Sequence, residues 1–147
     1  MAEPAAGKTP RQWWLVKTEP EEFGWNQQVA RGIEPWTGVR NHAAKINLNS
    51  MRVGDRAFFY HSGSERRIVG IVEVARAAYP DPTAEVGTWL AVDMRAVGSM
   101  PVPVTLAAIK ADPALEGLAL IRNSRLSVMP VSWPHWQHIC RLGGWVS

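Results

Sequence analysis

Short runs of aromatic and β-branched residues, each bounded by turn-forming residues, divide this chain and limit the folds open to it. Runs of this kind predict β-strands. The predicted strands cover residues 12–17, 56–61, 68–74 and 88–94. A polar, glycine-containing segment joins the second run to the third, which predicts a β-hairpin. After the fourth run, Pro101 and Pro103 confine the chain to a sheet edge or a turn.

Helix signals lie between and after these runs. Pro20 can begin a helix over residues 21–30 that Gly32 ends. Asn41 is a predicted N-cap of a helix that reaches residue 48, and Ser132 is a predicted N-cap of a last helix. The remaining pieces are that last helix over residues 133–142, helical turns over residues 105–109 and 113–118, and extended segments over residues 120–121 and 126–131. Short strands with inserted helices favour a closed or nearly closed β-barrel with helices around it.

The length of 147 residues is typical of one globular domain. We expect a flexible tail over residues 1–11 and a single domain over residues 12–147. The tail has no apolar signal core, no apolar run approaches the roughly 20 residues that span a bilayer, and Cys140 is the only cysteine. These features predict a cytoplasmic protein with no membrane partner and no internal disulfide.

Charge and tryptophan content bear on the partner. The formal net charge is +3, a mild excess that favours a nucleic-acid partner only slightly. Most of the basic residues are arginines, whose planar fork suits phosphates and base edges. There are 8 tryptophans, and most of these broad apolar rings are expected in the core.

Lys17 and Glu19 lie two positions apart on the first predicted strand, so they share a face and Thr18 points to the other. An amine and a carboxylate at a pocket mouth can read both edges of a planar heterocycle or act as acid and base. The alternative is an exposed ion pair at a strand end.

The segment from Trp36 to Asn41 combines a flat ring, a Thr-Gly turn, a guanidinium on Arg40 and an amide. Proteins that grip a single base need such a stacking platform with edge-on donors and acceptors. In the alternative reading, Trp36 is a core residue, Arg40 is solvated and Asn41 only caps a helix.

The second predicted strand places Phe58, Tyr60 and Ser62 on one face and Phe59 and His61 on the other. The Tyr60 and Ser62 hydroxyls could hydrogen-bond a ligand together. A lone histidine on a strand is more often structural than catalytic, and His61 is read in that way.

Arg122 and Arg125 flank small polar residues in a loop, which suits either a phosphate clamp or a solvated turn. His135 and His138 are three positions apart, but no cysteine or aspartate cluster accompanies them, so we predict no metal site. The sequence contains no glycine-rich phosphate loop and no nucleophile motif. No cofactor is expected.

Seven blocks, in this order along the chain, resemble the EVE domain family, a PUA-like group. The blocks are WLVKTEP (14–20), WTGVRN (36–41), MRVGD (51–55), FYHS (59–62), GIVEV (70–74), AYPDPT (78–83) and LSVMPV (126–131). The resemblance implies an α+β fold, a PUA-like mixed β-barrel flanked by short helices. It also implies a pocket for a flipped, modified base such as a methylated or hydroxymethylated cytosine. The tail carries no basic run of the kind used for nuclear entry, so a bacterial, free-standing member is expected.

The resemblance also assigns ligand-binding residues. They are Lys17, Thr18, Glu19, Trp36, Arg40, Asn41, Tyr60, His61, Ser62, Arg125, Leu126 and Ser127. We expect a non-enzymatic protein that binds a modified base in DNA or RNA. In this reading Trp36 stacks on the base, opposite a second aromatic that the sequence does not identify. Edge contacts come from Lys17, Glu19, Asn41, Tyr60 and Ser62, and the flanking phosphates are held by Arg40, Arg122 and Arg125.

Two other functions stay open at this stage. The PUA-like ASCH group includes small amidohydrolases that act on modified nucleosides, and Lys17, Thr18 and Glu19 supply the same residue types, with His61 as a helper. Because neighbouring strand positions diverge, Thr18 could not easily join the other two at one substrate atom. An exposed tryptophan surface would instead suit a protein-interaction module.

Overall fold

A six-stranded sheet of mixed direction forms the centre of the computed structural model, which describes residues 11–146. The predicted tail therefore lies outside the described residues, apart from Arg11. The strands are β1 (Trp13–Thr18), β2 (Ile33–Trp36), β3 (Arg56–His61), β4 (Arg67–Pro80), β5 (Leu90–Thr105) and β6 (Val128–Pro130). Their order across the sheet is β2-β5-β4-β3-β1-β6. Only β1 and β3 pair in parallel among these strands.

The central strands are buried on both faces. Residues 13–16 of β1 and 57–61 of β3 are all buried, because helices and loops cover the sheet on both sides. Continuous apolar runs, rather than strict alternation, are typical of strands in this position. The predicted bounds of these two strands, 12–17 and 56–61, agree with the observed ones to within a residue.

Five helices surround the sheet within the described chain. They are α1 (Trp25–Arg31), α2 (His42–Ser50), α3 (Leu106–Ala111), α4 (Ala119–Arg122) and α5 (Trp133–Gly143), with a 3₁₀ turn at Pro113–Leu115. Both predicted caps are confirmed: Asn41 Oδ1 accepts from the Ala44 N–H at 3.0 Å and Ser132 Oγ from the His135 N–H at 3.4 Å. None of the described helices has the length and apolarity that a membrane crossing requires.

Three predictions of local structure were wrong. The helix expected from residue 21 begins at Trp25, because a turn closes first: the N–H groups of Glu22 and Phe23 both donate to the Glu19 carbonyl at 2.9 Å. Residues 33–36, which were not predicted as a strand, form the edge strand β2. Residues 120–121, expected as extended, lie in α4.

Strands β4 and β5 are longer than predicted, with 14 and 16 residues. Ser99 pairs with Gly70 and Val104 with Ile68, so the intervening part of β5 bulges out of the pairing. Pro101 and Pro103 lie in that bulge, where no ladder hydrogen bond needs their missing N–H groups. The prolines were predicted at a sheet edge or a turn; they lie instead in an irregular part of strand β5, which is not an edge strand.

The α+β fold class is confirmed, but the sheet is not closed into a barrel. β2 and β6 are its two edges and do not pair with each other. Helix α2 packs against β4, β5 and β6 instead, and Asn47 Nδ2 donates to the Val128 carbonyl at 2.7 Å. The two edge strands are short, with three residues in β6 and four in β2.

Candidate functional site

The parallel pairing of β1 and β3 brings several predicted site residues to one end of the sheet. Lys17 is in register with Tyr60 and Thr18 with His61. The Ser62 N–H extends this pairing, since it donates to the Thr18 carbonyl at 2.9 Å. Parallel strands end at the same edge of a sheet, so residues from two distant segments of sequence meet here.

These residues lie on two different faces of the sheet, because residues in register share a face and neighbours along a strand alternate between faces. Lys17 and Tyr60 lie on one face, whereas Thr18 and His61 lie on the other with Phe59. This corrects the predicted arrangement, in which Lys17 and Tyr60 read the edge of the same ring that stacks on Trp36. Trp36 packs on Phe59, with ring centroids 5.6 Å apart, and so belongs to the opposite face.

Lys17 holds the segment that precedes β6. Its Nζ donates to the Ser124 carbonyl at 2.9 Å, and its N–H donates to the Ser127 carbonyl at 2.9 Å. The ammonium also lies 5.9 Å from the centre of the Tyr60 ring. Burial lowers the pKa of Lys17, because desolvation disfavours the charged amine. The structure thus brings the predicted segment Arg125–Ser127 beside Lys17.

Tyr60 and Ser62 complete this face. Burial raises the pKa of Tyr60, against a smaller lowering by the charge of Arg66. Ser62 is only partly buried, so its side chain stays accessible at the strand end. Leu126, by contrast, is a buried core residue at 9% exposure.

His61 is fully engaged by the protein. Its Nε2 accepts from the Trp25 N–H at 3.0 Å, and its Nδ1 lies 2.9 Å from Glu65 Oε1. An acceptor at Nε2 requires the neutral tautomer with its proton on Nδ1. The hydrogen bond from His61, aided by Arg67, lowers the pKa of Glu65. This side chain therefore ties the end of β3 to the start of α1, as the structural reading of a lone strand histidine expects.

On the Thr18 face, a cavity of about 280 Å³ with a largely polar lining lies between the end of β1, the turn before α1 and strand β2. We call it the Trp36 cavity. Its lining residues are Thr18, Glu22, Phe23, Arg31, Glu34, Pro35, Trp36 and Thr37. Trp36 is 7% exposed, and its ring meets Phe23 edge-on at 6.2 Å and 83°. Thr18 Oγ1 donates to the Phe23 carbonyl at 2.9 Å, which fixes the turn against the strand.

Of the eight lining residues, only Thr18 and Trp36 were assigned to the site from the sequence, and the aromatic residue among those missed is Phe23. It was expected inside a helix, where its side chain would have no fixed relation to Trp36. The signal that could have placed it is the Glu-Pro-Glu-Glu run just before it, which favours a tight turn. Glu19 is exposed and begins that turn, so strand alternation ends at Thr18 and does not pair Glu19 with Lys17.

Arg40 and Asn41 lie further along the loop that leaves Trp36. Arg40 Nη1 donates to Asp81 Oδ2 at 3.0 Å and its Nη2 to Thr83 Oγ1 at 3.3 Å. Asn41 uses its side-chain oxygen to cap α2. Their predicted contacts to phosphate and base stay predictions, and both side chains already have structural partners.

Burial raises the pKa of Asp81, but hydrogen bonds from Thr83, Gly38 and Arg40 outweigh it and lower the pKa to about 2. The carboxylate therefore stays charged inside the fold. Arg122 and Arg125 are exposed. Arg122 lines a separate cavity with Lys110 and Asp112, so the two arginines are not joined into one clamp. No cluster of three or more possible metal ligands occurs within residues 11–146.

The mixed sheet, its flanking helices and the polar end of the parallel pair place this protein in the PUA-like class of α+β domains. More specifically, the EVE domain profile matches residues 12–142, and the chain belongs to the EVE domain family.

Solved structures support the assignment. A crystal structure of an Agrobacterium tumefaciens protein is 46% identical with a TM-score of 0.89, covering 91% of this chain and 94% of that chain. An NMR structure from Rhodopseudomonas palustris is 52% identical with a TM-score of 0.86, covering 90% and 93%. Human THYN1, thymocyte nuclear protein 1, is 27% identical with a TM-score of 0.82, covering 92% and 99%, and was solved in complex with DNA containing 5-methylcytosine.

Proposed function

We propose that this protein binds a modified nucleobase, presented by DNA or RNA, in the Trp36 cavity, and that it leaves the base chemically unchanged. One observation carries the proposal: a cavity with two aromatic rings and polar side chains in its lining lies at the end of the β1–β3 pair. The human relative solved with methylated DNA supports the same choice of ligand. A modified cytosine is the base we propose.

The size and lining of the cavity suit one base. Its volume of about 280 Å³ lies near the lower end of small-molecule sites, which begin at roughly 300 Å³. Because Phe23 and Trp36 are nearly perpendicular at 83°, a base stacked on one ring meets the other edge-on. Stacking of this kind contributes roughly 1 to 3 kcal/mol per base. Thr18, Thr37 and the Arg31–Glu34 ion pair supply donors and acceptors for the base edge.

Discrimination between a modified and an unmodified base can come from apolar burial. A buried methyl group contributes about 0.8 kcal/mol, which corresponds to about a four-fold difference in affinity. Extrusion of the base from a duplex costs a few kcal/mol, so we expect modest affinity that is higher for single strands.

The arrangement favours binding over catalysis. Lys17 and Thr18 point to opposite faces of β1, so they cannot converge on one substrate atom. Both ring nitrogens of His61 have protein partners, which leaves neither free as a general base. The proposed non-enzymatic role is open to a direct check: turnover of any modified nucleoside, abolished by Lys17→Ala, would favour the amidohydrolase instead.

The binding experiment compares short single strands that differ only in a central cytosine or 5-methylcytosine. Fluorescence anisotropy should give about a four-fold higher affinity for the methylated strand. In Trp36→Phe the ratio of the two affinities should fall toward one. Trp133→Phe, on helix α5, is the matched control and should bind as the wild type does. Equal affinity for both strands, unchanged in Trp36→Phe, would rule out the proposed reader.

A further inference from the structure

Three basic side chains surround Trp89, a residue that no motif assigned to the site. The guanidinium of Arg40 and the ammonium of Lys45 each lie 5.7 Å from the indole centre. The His42 ring lies 4.9 Å away and is tilted by only 30°. Lys45 Nζ also donates to Thr88 Oγ1 at 2.6 Å. We call these five residues, Arg40, His42, Lys45, Thr88 and Trp89, the Trp89 patch.

The patch is held in place by contacts that do not depend on a ligand. The buried Asp81 carboxylate accepts from the Gly38 N–H at 2.8 Å and from Arg40 at 3.0 Å, which fixes the loop after Trp36. Asn41 then caps α2, and α2 carries His42 and Lys45. A preformed cationic surface loses little side-chain freedom when it binds.

The charges of the patch are not all balanced within the fold. Asp81 compensates Arg40, whereas Lys45 forms no ion pair within residues 11–146. Glu85, on the loop that leads to Trp89, is exposed and likewise has no ion pair in the described chain. The Lys45 ammonium beside an indole and an imidazole is thus available to an anion, and ring and cation together suit a sugar–phosphate chain.

The loop after the cavity connects the two sites. Thr37 lines the Trp36 cavity and Arg40 belongs to the patch. Three residues of extended chain span at most about 11 Å, which limits the separation of the Thr37 and Arg40 backbones. The two sites therefore adjoin the same short loop.

We propose that the Trp89 patch binds a phosphate of the nucleic-acid strand whose base lies in the Trp36 cavity. This inference rests on the proposed function. It assigns Lys45, His42 and Trp89 to the interface, and it explains how a small base cavity could be supplemented by contacts to the strand.

The test compares a free ligand with a strand. We would measure binding of 5-methylcytidine and of a single-stranded heptamer with a central 5-methylcytosine, at several salt concentrations. Lys45→Gln should weaken heptamer binding roughly five- to ten-fold, as loss of one charge-assisted contact does. It should also reduce the steepness with which the logarithm of the binding constant falls with the logarithm of the salt concentration, by about 0.7. Binding of the nucleoside should stay unchanged. Trp89→Leu should weaken the heptamer in the same way.

Arg52→Gln is the matched control, because Arg52 is exposed beyond the other end of α2. It should retain wild-type affinity for both ligands. As an independent measure, the Trp89 indole N–H signal in a ¹H–¹⁵N spectrum should shift when the heptamer is added and not when the nucleoside is added.

If Lys45→Gln and Trp89→Leu both keep the wild-type affinity for the heptamer and the wild-type salt dependence, the proposed phosphate contact is wrong. A preference for the methylated base would in that case still support binding in the Trp36 cavity. An unmoved Trp89 signal would overturn the patch as well. The protein could instead show no preference for the methylated base and still bind the strand in a way that depends on Lys45. That outcome would overturn the proposed function and leave the proposed phosphate contact of the patch standing. A patch that binds another protein and no oligonucleotide would contradict the inference.

Discussion

Asp81 keeps a negative charge in a position where its side chain is fully buried. Gly38, Arg40 and Thr83 donate to it, and Thr83 does so through both its N–H and its hydroxyl at 2.7 Å. Such a carboxylate is costly to bury unless every lone pair is used. It joins the loop after Trp36 to the loop before Trp89, and so fixes both proposed sites relative to each other.

We expect Asp81→Asn to lower the free energy of unfolding by about 2 kcal/mol at pH 7, since a pKa depressed from 3.8 to about 2 contributes roughly 1.4 kcal/mol per unit. The folded pKa lies below the unfolded one, so this stability is present above pH 3.8 and is lost as the pH falls toward 2. Urea unfolding of both proteins at pH 7 and at pH 2.5 measures it. Glu85→Gln, at an exposed position, should change little at either pH. An equal effect of Asp81→Asn at both pH values would show that charge is not the cause.

At the scale of single elements, α2 shows how one residue can serve structure and binding. Asn41 caps the helix through its side-chain oxygen at 3.0 Å from the Ala44 N–H. Its amide NH₂ group is the part left for a ligand. The predicted role in reading a base edge and the capping role can therefore be separated by substitution.

Asn41→Ala should destabilise the protein by about 1 kcal/mol, whereas Asn41→Asp should not, because aspartate is an equally good cap. Thermal unfolding measures both. If Asn41 also donates to the base edge, Asn41→Asp should weaken binding of the methylated strand without loss of stability. Unchanged binding in Asn41→Asp would restrict Asn41 to capping.

The contact between α1 and β4 depends on a missing side chain. Gly70 lies directly under the Trp25 indole, where a Cβ would overlap its ring carbons. The same indole donates to Ser99 Oγ at 2.8 Å, so it cannot move freely. Glycine in the GIVEV block is thus required by packing, and its backbone needs no left-handed conformation.

Gly70→Ala should destabilise the protein by roughly 1 to 3 kcal/mol, as overpacking does. The double variant Gly70→Ala, Trp25→Phe should lose less stability than the sum of the losses in the two single variants. The reason is that the smaller phenylalanine ring leaves room for the alanine Cβ. Chemical denaturation measures the cycle. Ala77→Ser, at an exposed position of β4, is the control. Strict additivity would contradict the proposed clash.

For the whole molecule, the decisive property is that the sheet stays open. Helix α2 packs against β4, β5 and the edge strand β6, and the Asn47 side chain satisfies the Val128 carbonyl on β6. Edge strands that are this short offer little template for further pairing. The two edges should therefore be the least protected parts of the sheet.

Native-state hydrogen exchange should place the amides of β1 and β3 among the slowest, and those of β2 and β6 among the faster ones. Central strands open only with the global transition, whereas short edges open locally. Comparable protection across all six strands would indicate that α2 closes the sheet more tightly than its hydrogen bonds suggest.

Much of the local structure was predictable because it depends on near neighbours. The apolar runs of β1 and β3 and the caps Asn41 and Ser132 follow from propensity and capping. The start of α1 was not predictable in this way, because the turn at Glu19 competes with the helix through hydrogen bonds of similar strength. The cavity-lining position of Phe23 depends on that turn.

The sequence by itself determined the family, the α+β class and the identity of the two central strands, because these depend on motifs and on continuous apolar runs. Only the tertiary structure decided that Lys17 and Trp36 lie on opposite faces, that α2 covers an open sheet and that Arg40, His42 and Lys45 meet around Trp89. Those facts depend on strand register and on contacts between residues more than 40 positions apart, and local preferences carry no information about such distances.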